Sequence, residues 1–367
     1  MSRLPKIPRK SKQKKARSSR SVPAAVASRN SAPNEIVVAS ISAQSLSLIL
    51  ANGFTVVASA PTTLIDGVIA RLRPPAGLDL ETARRRIQQI VPAAVVDAND
   101  LYRPVSMPCQ KGNCPAFEMV GWAVPPDRCA ATATIGMIDT KVNTTHEALR
   151  DQSVEIIDVR SKGDRESSAS HGTAIAALFV GDENSRTPGL LPDAKLVAVE
   201  AFQRDRAGDA ADVYKIVRGL DALAQRGIRV VNLSFAGPQN TVLGLAVGAA
   251  EKRDIILVAA AGNQGPKAEP AFPGAYNGVF AVTAVDRQSK IYRQAGRGNH
   301  IAFAAPGVRL WTASLVEELA SLTPIWEMLA AIRCLVGGSS RRTLAVRRRL
   351  ARGRRTLHHR GRRPTSV

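Results

Sequence analysis

The chain has few aromatic residues and no long uninterrupted hydrophobic run. Aromatic residues make up 4% of its 367 residues. The most apolar stretches are interrupted by charged residues at 251–254 and 317–318, whereas a membrane-crossing helix needs about 20 consecutive, mostly apolar residues. The sequence therefore predicts no transmembrane span. The scarcity of aromatic residues also argues against a folded surface that binds nucleic acid, where aromatic side chains accompany basic ones.

Cysteine is also scarce, with four residues in the chain. Cys109 and Cys114 bracket a loop that is short and flexible enough to close as a disulfide, and Cys129 follows later. Buried or free thiols in a cytosolic protein are the other interpretation. The spacing of Cys109 and Cys114 is not that of a zinc pair, and no acidic cluster has the spacing of a calcium loop. We therefore predict no metal site and no cofactor.

The net charge of +21 lies at the two ends of the chain. Residues 1–34 carry ten Lys or Arg and no acid, and residues 328–367 carry twelve Arg and no acid. The stretch between them holds 29 basic and 30 acidic residues. Like charges repel, and these ends offer little apolar surface to bury, so they are predicted to be disordered tails. We predict no specific nucleic-acid partner, because polyanion binding through such tails is non-specific and weakens steeply with salt.

A small folded unit is predicted at residues 35–103, after a disordered basic arm at 1–34. Its succession of strand, helix, two strands, helix and strand is the ferredoxin-like split βαβ pattern of an α+β domain. Residues 104–130, which contain prolines and three of the cysteines, are predicted to form a linker. The predicted strands lie at 36–39, 54–57, 64–72 and 93–96, and the predicted helices at 43–51 and 79–90.

From Ala131 the pattern alternates between strands and helices. The strands are near-continuous apolar runs, which is typical of parallel strands buried on both faces. We therefore predict an α/β fold with a doubly wound parallel sheet in a domain over 131–336, followed by an arginine-rich tail at 337–367. The predicted strands lie at 133–138, 196–200, 228–233, 255–259 and 279–285, and the predicted helices at 172–180, 209–226 and 241–252.

Polar residues follow several of these strands. Asp139 ends the first strand, and Ser234 and Asn263 follow two later ones, while His171 opens a helix of small residues. Doubly wound sheets place their active sites beyond the carboxyl ends of the strands. An aspartate, a histidine and an amide donor in these positions are parts of a serine hydrolase. Each alone is more often a turn or capping residue, but the ordered set is specific.

The segments around these residues form an ordered series of motifs: Thr134-Ile-Gly-Met-Ile-Asp139-Thr140, His171-Gly-Thr-Ala-Ile-Ala-Ala, Val231-Asn-Leu-Ser234-Phe-Ala-Gly237, Val258-Ala-Ala-Ala-Gly-Asn263-Gln-Gly, Phe272-Pro-Gly-Ala-Tyr276 and Phe303-Ala-Ala-Pro-Gly307. Together these motifs resemble the subtilisin-like serine proteases. The resemblance runs from about Thr134 to Trp311 and implies a subtilisin-like fold and a serine endopeptidase acting on polypeptides.

The resemblance also implies roles for individual residues. Asp139 would orient the ring of His171, which would act as general base and then as general acid. Asn263 would donate its amide to the developing oxyanion. Substrate would pair as an added strand with Ser234, Phe235, Ala236 and Gly237, and the pocket before the scissile bond would be walled by Ala259, Ala260, Ala261 and Gly262.

Two positions depart from the family pattern. Lys141 stands where the family usually has Gly, so the turn after Asp139 must tolerate a side chain. The nucleophile motif Gly-Thr-Ser-x-x-x-Pro, expected within a few tens of residues after Gly307, is missing. Ser321, Ser339 and Ser340 lack the preceding Gly-Thr or the following apolar helix. The nucleophile is therefore unassigned.

The carboxyl end admits several interpretations. Residues 341–363 hold eleven arginines, which cannot cover the sheet without burying unpaired charge, unless Ile325 to Leu335 fills that place. The abrupt change in composition is typical of a shifted reading frame or a recombined terminus, and a natural basic tail is the other interpretation. The alternatives to an active enzyme are a non-catalytic peptide-binding pseudopeptidase and a frameshifted remnant.

The resemblance finally implies a role for the unit at 35–103. In this family a prodomain of that kind commonly assists folding and blocks the cleft until it is removed. The chain's own prodomain would then be a cleft inhibitor. A secreted or cell-envelope location is expected by resemblance, although residues 22–27 are too short and proline-broken for the hydrophobic region of a signal peptide.

Overall fold

The computed structural model describes residues 31–104, 106–108, 133–286, 288–308, 312–313 and 320–322. Most of the predicted basic arm, the cysteines of the predicted linker, Ser339, Ser340 and the predicted arginine-rich tail lie outside these ranges. In chain order the strands are β1 Ser31–Ile41, β2 Thr55–Thr62, β3 Gly67–Arg73, β4 Val95–Pro104, β5 Ser106–Pro108, β6 Thr134–Asp139, β7 Val154–Asp158, β8 Lys195–Glu200, β9 Gln203–Asp205, β10 Gly208–Asp212, β11 Val230–Leu233, β12 Phe235–Ala236, β13 Ile256–Ala260, β14 Val279–Val285, β15 Ile301–Pro306 and β16 Ala320–Leu322. The helices are α1 Ala43–Ala51, α2 Leu80–Ile90, α3 Ser170–Val180, α4 Val213–Gln225 and α5 Thr241–Lys252.

Residues 31–104, named the amino-terminal unit below, form an antiparallel sheet with strand order β2-β3-β1-β4. Both of its helices start at a side-chain cap. Ser42 Oγ accepts a hydrogen bond from Ser45 N, and Asp79 Oδ1 accepts one from Thr82 N. Such caps satisfy backbone N–H groups that have no partner inside the helix. The helix predicted at 43–51 is observed with those bounds.

The larger sheet contains seven parallel strands in the order β15-β14-β13-β11-β6-β8-β7. Helix α3 packs on one face, and α4 and α5 pack on the other. Successive residues of a strand face opposite sides, so Ile256 and Val258 pack with α3 whereas Leu257 and Ala259 pack with α4 and α5. The predicted α/β fold with a parallel sheet is confirmed. Among the described residues, no helix is long and apolar enough to cross a membrane.

The sequence pattern did not predict the two edge strands of this sheet, β7 and β15. All five residues of β7 and the first four of the six residues of β15 are only partly buried or exposed, because an edge strand has one neighbour and less cover. A half-exposed strand lacks the continuous apolar run that marks the central strands.

For the helix predicted at 209–226, the predicted first residue is wrong. Residues 208–212 form strand β10, which pairs with both β9 and β4, and α4 begins only at Val213. Asp212 caps the helix, because its Oδ1 accepts a hydrogen bond from Lys215 N at 3.0 Å. Asp209 therefore lies inside β10, and Asp212 lies at the positive end of the helix.

The amino-terminal unit lies against the larger sheet's helices. The face of its sheet opposite α1 and α2 contributes Val37, Ala39 and Ile69 to the same core as α4 and α5. Strand β4 is longer than predicted. Its last four residues leave the small sheet and pair with β10 on one side and β12 on the other, so β4 joins the two parts of the molecule.

Phe179 tests the packing that holds α3 in place. The ring is fully buried in the core on the α3 face of the sheet, so Phe179→Ala should lower the free energy of unfolding by about 3–5 kcal/mol. Leu48→Ala on α1 is the control, because Leu48 is 56% exposed and its truncation should change stability by less than about 0.5 kcal/mol. Urea unfolding measures both. Equal losses in the two variants would contradict the assigned core.

Candidate active site

Asp139 and His171 form a buried pair at the carboxyl edge of the parallel sheet. Asp139 is the last residue of β6, and His171 is the second residue of α3; they are 1% and 7% exposed. His171 Nδ1 lies 2.6 Å from Asp139 Oδ1, and the same oxygen accepts a hydrogen bond from Thr140 N at 2.7 Å. Asp139 therefore fixes the orientation of the imidazole ring through its Nδ1.

The start of α3 is tied directly to the end of β6. Gly172 N donates a hydrogen bond to Thr140 Oγ1 at 2.8 Å, which supplies a partner for the helix's uncapped first turn. The approach is so close that a Cβ at Gly172 would lie 2.3 Å from Thr140 O. Only glycine allows this contact, and the contact sets the distance between His171 and Asp139.

The turn after Asp139 accommodates Lys141 without a left-handed backbone. Lys141 N donates to Ser167 Oγ at 2.9 Å, and Lys141 Nζ donates to Glu166 Oε2 at 2.7 Å. The side chain points to an exposed carboxylate rather than into the site. The departure from glycine at this position is therefore compatible with the observed turn.

Ser234 and Asn263 lie at the same edge of the sheet as Asp139. Ser234 follows β11, Asn263 follows β13 by three residues, and β11 pairs with β6 on one side and β13 on the other. Neighbouring strands are about 4.8 Å apart, so the three side chains belong to one stretch of the edge. Ser234 is buried and its hydroxyl accepts a hydrogen bond from Asn232 Nδ2 at 2.9 Å. Asn263 is partly buried.

The segment predicted to pair with substrate is already paired with a strand of the same chain. Phe235 and Ala236 form β12, which pairs antiparallel with Pro104 and Arg103 of β4. Gly237 instead exchanges two backbone hydrogen bonds with Phe272, at 2.8 and 3.0 Å. The extended segment at 234–237 therefore accepts an added strand over two of its residues.

The alanines predicted to wall a pocket are buried. Ala259 and Ala260 are the last residues of β13, and with Ala261 all three are at most 5% exposed. Ala259 belongs to the core beneath α4 and α5. Gly262 has a left-handed backbone (φ 85°) and accepts a hydrogen bond from Gly296 N at 2.9 Å.

The end of β4 lies between β12 and β10, and the space that it occupies is named the cleft below. The sequence pattern did not predict β10, which forms the second wall of this cleft. Ala211 and Asp212 of β10 pair antiparallel with Tyr102 and Leu101 of β4. The available signal was Asp212 itself, because a capping aspartate followed by an amphipathic run marks a helix start there rather than at Asp209.

The sequence pattern of the Subtilase family, peptidase S8, matches residues 130–341. The chain belongs to the subtilase family. The matched range contains Asp139, His171, the segment 234–237 and Asn263, and it extends beyond the last described residue.

Two relatives illustrate how far the similarity reaches. The chain is 28% identical to the minor extracellular protease Epr of Bacillus subtilis, over 41% of this chain and 23% of that protein. It is also 28% identical to the thermophilic serine proteinase of Bacillus sp. strain AK1, over 58% of this chain and 54% of that protein. The chain therefore spans about half or less of these subtilases.

A solved structure shares the fold. The crystal structure of fervidolysin from Fervidobacterium pennivorans, described as a keratinolytic enzyme related to subtilisin, superposes with a TM-score of 0.62. The match covers 81% of this chain and 53% of fervidolysin, at 16% identity. The similarity includes more of this chain than the parallel sheet and its helices alone.

The described residues hold only part of the chain in which the family's serine is expected. Thr312 Oγ1 donates to Ala174 O at 2.7 Å, so the chain after β15 returns to α3. Ser321 lies in β16, where its backbone pairs with Met107 of β5. Ser339 and Ser340 lie outside the described residues.

Gly172 tests the contact that positions the pair. Gly172→Ala should lower the free energy of unfolding by about 1–3 kcal/mol, because the new methyl group collides with backbone that cannot easily move. Gly248→Ala is the matched control, since Gly248 also lies in a helix but a Cβ there meets nothing within 4 Å. That variant should gain up to about 1 kcal/mol from helix propensity. Thermal unfolding compares them, and a stabilised Gly172→Ala chain would refute the close contact.

Proposed function

We propose that this chain is a serine endopeptidase of the subtilisin type, with polypeptide substrates bound in the cleft between β10 and β12. The observation that supports it most strongly is the 2.6 Å hydrogen bond between Asp139 and His171 at the carboxyl edge of the sheet. A buried carboxylate in that position holds the imidazole in one tautomer and stabilises the imidazolium that forms during attack.

The remaining steps follow from where the groups lie. With its Nδ1 bound to Asp139, His171 takes the proton of a serine hydroxyl at Nε2 and later returns it to the leaving amine. Asn263 donates its side-chain amide to the oxyanion of the tetrahedral intermediate. The nucleophilic serine belongs to the part of the family match that follows Gly307. Its position in the sequence is not assigned. The reaction needs no cofactor.

A fluorophosphonate probe tests the peptidase assignment, because it labels only an activated serine. The full chain should be labelled, and Tyr102→Ala should increase labelling by loosening β4 in the cleft. His171→Ala should reduce labelling by at least about 10³-fold, whereas His146→Ala should not. Among the described residues, the ring of His146 accepts one hydrogen bond, and it is a local one from Ala148 N. Mass spectrometry of the labelled peptide assigns the nucleophile among Ser321, Ser339 and Ser340.

Absence of labelling from both the full chain and Tyr102→Ala would contradict the peptidase and favour a second function. That function is a non-catalytic peptide-binding pseudopeptidase, and the observation in its favour is that the cleft already binds a strand by backbone pairing. Loss of a subtilase nucleophile removes nearly all catalysis but leaves substrate binding. Reading the encoding nucleotides beyond Trp311 in the other two frames would identify a frameshifted remnant.

We also propose that the amino-terminal unit is a ferredoxin-like prodomain that inhibits the cleft. Its antiparallel strand order supports this, and so do its contacts with α4 and with the start of α5. Asp97 Oδ2 accepts a hydrogen bond from Thr241 N at 2.8 Å, at the start of α5. Asn240, which caps the same helix, donates to Ala98 O and to Asp100 Oδ2, both at 2.9 Å. Acidic side chains are favourable at helix amino termini.

Asp221 of α4 supplies a third contact with the amino-terminal unit. The carboxylate is 5% exposed. Its Oδ1 accepts three hydrogen bonds from the turn between β2 and β3: from Thr63 N at 2.8 Å, Thr63 Oγ1 at 3.0 Å and Leu64 N at 2.7 Å. Hydrogen bonds to a buried charged acceptor are stronger than neutral ones, so Asp221 anchors that turn.

Asp221→Asn should weaken this anchor, because an amide is uncharged and presents a single acceptor oxygen. Hydrogen exchange at the amides of Thr63 and Leu64 should accelerate by about 10- to 100-fold, the equivalent of about 1.5–3 kcal/mol for hydrogen bonds to a charged group. Asp193→Asn, in an exposed turn, is the control and should leave these amides unchanged. Unaltered exchange in Asp221→Asn would argue against docking through α4.

A secreted or cell-envelope location completes the proposal. It rests on similarity to a relative named as an extracellular protease. The basic ends of the chain are assigned no specific nucleic-acid partner.

A further inference from the structure

We infer that Asp205 makes the cleft selective for peptide strands that carry a basic residue, preceded by a tyrosine held in an enclosed pocket. The inference rests on the proposed use of the cleft between β10 and β12 for polypeptide substrates. It concerns which sequences bind there, and binding does not require the nucleophile.

The end of β4 shows how this cleft receives a strand. Tyr102 pairs with Ala211 of β10, and Arg103 pairs with Ala236 of β12. The inserted strand is therefore hydrogen-bonded along both edges, as in peptide recognition by strand addition. Backbone pairing is independent of sequence, so selectivity must come from the side chains, which alternate between the two faces of the strand.

Tyr102 occupies the enclosed side. Its side chain is fully buried and meets the ring of Phe235 edge-on, with centroids 5.9 Å apart. The floor of the pocket is Gly237, where a Cβ would lie 2.5 Å from the tyrosine ring. Tyr102 Oη donates to Pro238 O at 2.8 Å. The pocket is thus fitted to an aromatic ring with a terminal hydroxyl.

Arg103 points the opposite way, to the hairpin formed by β9 and β10. Its Nη2 lies 2.8 Å from Asp205 Oδ2, and its Nη1 lies 3.4 Å from both Asp205 Oδ1 and Asp209 O. The two-point geometry matches a guanidinium to a carboxylate. Both side chains are about one-third exposed or less, so the pair is partly shielded from water.

Asp205 is held ready for this contact. Its Oδ1 accepts a hydrogen bond from Ala207 N at 2.7 Å within the hairpin. Burial raises the pKa of Asp205, but the hydrogen bonds from Arg103 and from the backbone of Ala207 outweigh it and leave the pKa below the ordinary value of 3.8. The carboxylate is charged at neutral pH, and its pairing with a basic residue is lost only as the pH falls through that lowered pKa.

The test uses the full chain with Tyr102→Ala and Arg103→Ala, so that its own strand yields the cleft. The probe is a fluorescein-labelled peptide, Asp-Leu-Tyr-Arg-Pro-Val, compared with versions carrying Glu in place of Arg or Ala in place of Tyr. Fluorescence anisotropy at physiological ionic strength should give about tenfold tighter binding for Arg than for Glu, and about 100-fold weaker binding without the tyrosine.

Charge reversal at Asp205 is the decisive comparison. In the Asp205→Lys background the Glu peptide should bind more tightly than the Arg peptide, whereas Asp193→Lys, which changes the net charge equally, should keep the original order. Asp205→Asn should remove the preference for Arg without reversing it. This variant replaces Asp205→Lys in the test if the lysine variant does not fold. The preference in the parent should stay constant between about pH 5 and pH 8.

The outcomes separate this inference from the proposed function. Selective binding without fluorophosphonate labelling would support the inference and reject the peptidase. Binding with no preference between Arg and Glu, or a preference unchanged by Asp205→Lys, would overturn the inference alone. Failure of every peptide to bind would overturn both the inference and the assignment of this cleft.

Discussion

Parallel strand pairing is the constraint on which the rest of this structure depends. Each parallel neighbour requires a return connection over a face of the sheet, so all carboxyl ends lie along one edge. Asp139, Ser234 and Asn263 meet at that edge because β6, β11 and β13 are adjacent and parallel. Helix α3 also starts at this edge. The contact of Gly172 with Thr140 fixes the start of the helix against the end of β6, and this sets the distance between the imidazole of His171 and the carboxylate of Asp139.

Much of this could be predicted from local sequence. Buried central strands are continuous apolar runs, so Asp139 and Asn263 stand out in the sequence as polar residues at or after strand ends. His171 stands out at the start of a helix of small residues. Strand β10 does not stand out, because its sequence of Gly, Asp and Ala has no strand pattern and it pairs with β4, more than 100 positions earlier. The full length of β4 was hidden for the same reason. Segments ordered by distant partners leave little trace in local periodicity.

The boundary between the amino-terminal unit and the larger sheet buries a chain of alternating charges. Arg71 donates two hydrogen bonds to Glu35 and lies 3.8 Å from Asp212, which in turn lies 3.4 Å from the fully buried Lys215. Lys215 is also 2.7 Å from Asp164. Removing one member of such a set leaves an uncompensated buried charge. The two parts of the molecule are therefore matched in the order of their charges as well as in shape.

Strand β4 is covalently continuous with the sheet that holds it in the cleft. A tethered segment of this kind competes at an effective concentration in the millimolar range, set by geometry rather than by the amount of protein present. A free peptide of equal intrinsic affinity must reach a similar concentration to displace it. Dilution of the protein does not change the occupancy of the cleft by β4, because the strand and the cleft belong to the same chain. Cutting the chain after β4 leaves the strand attached to the amino-terminal unit but removes the tether to the cleft, so its occupancy then depends on protein concentration.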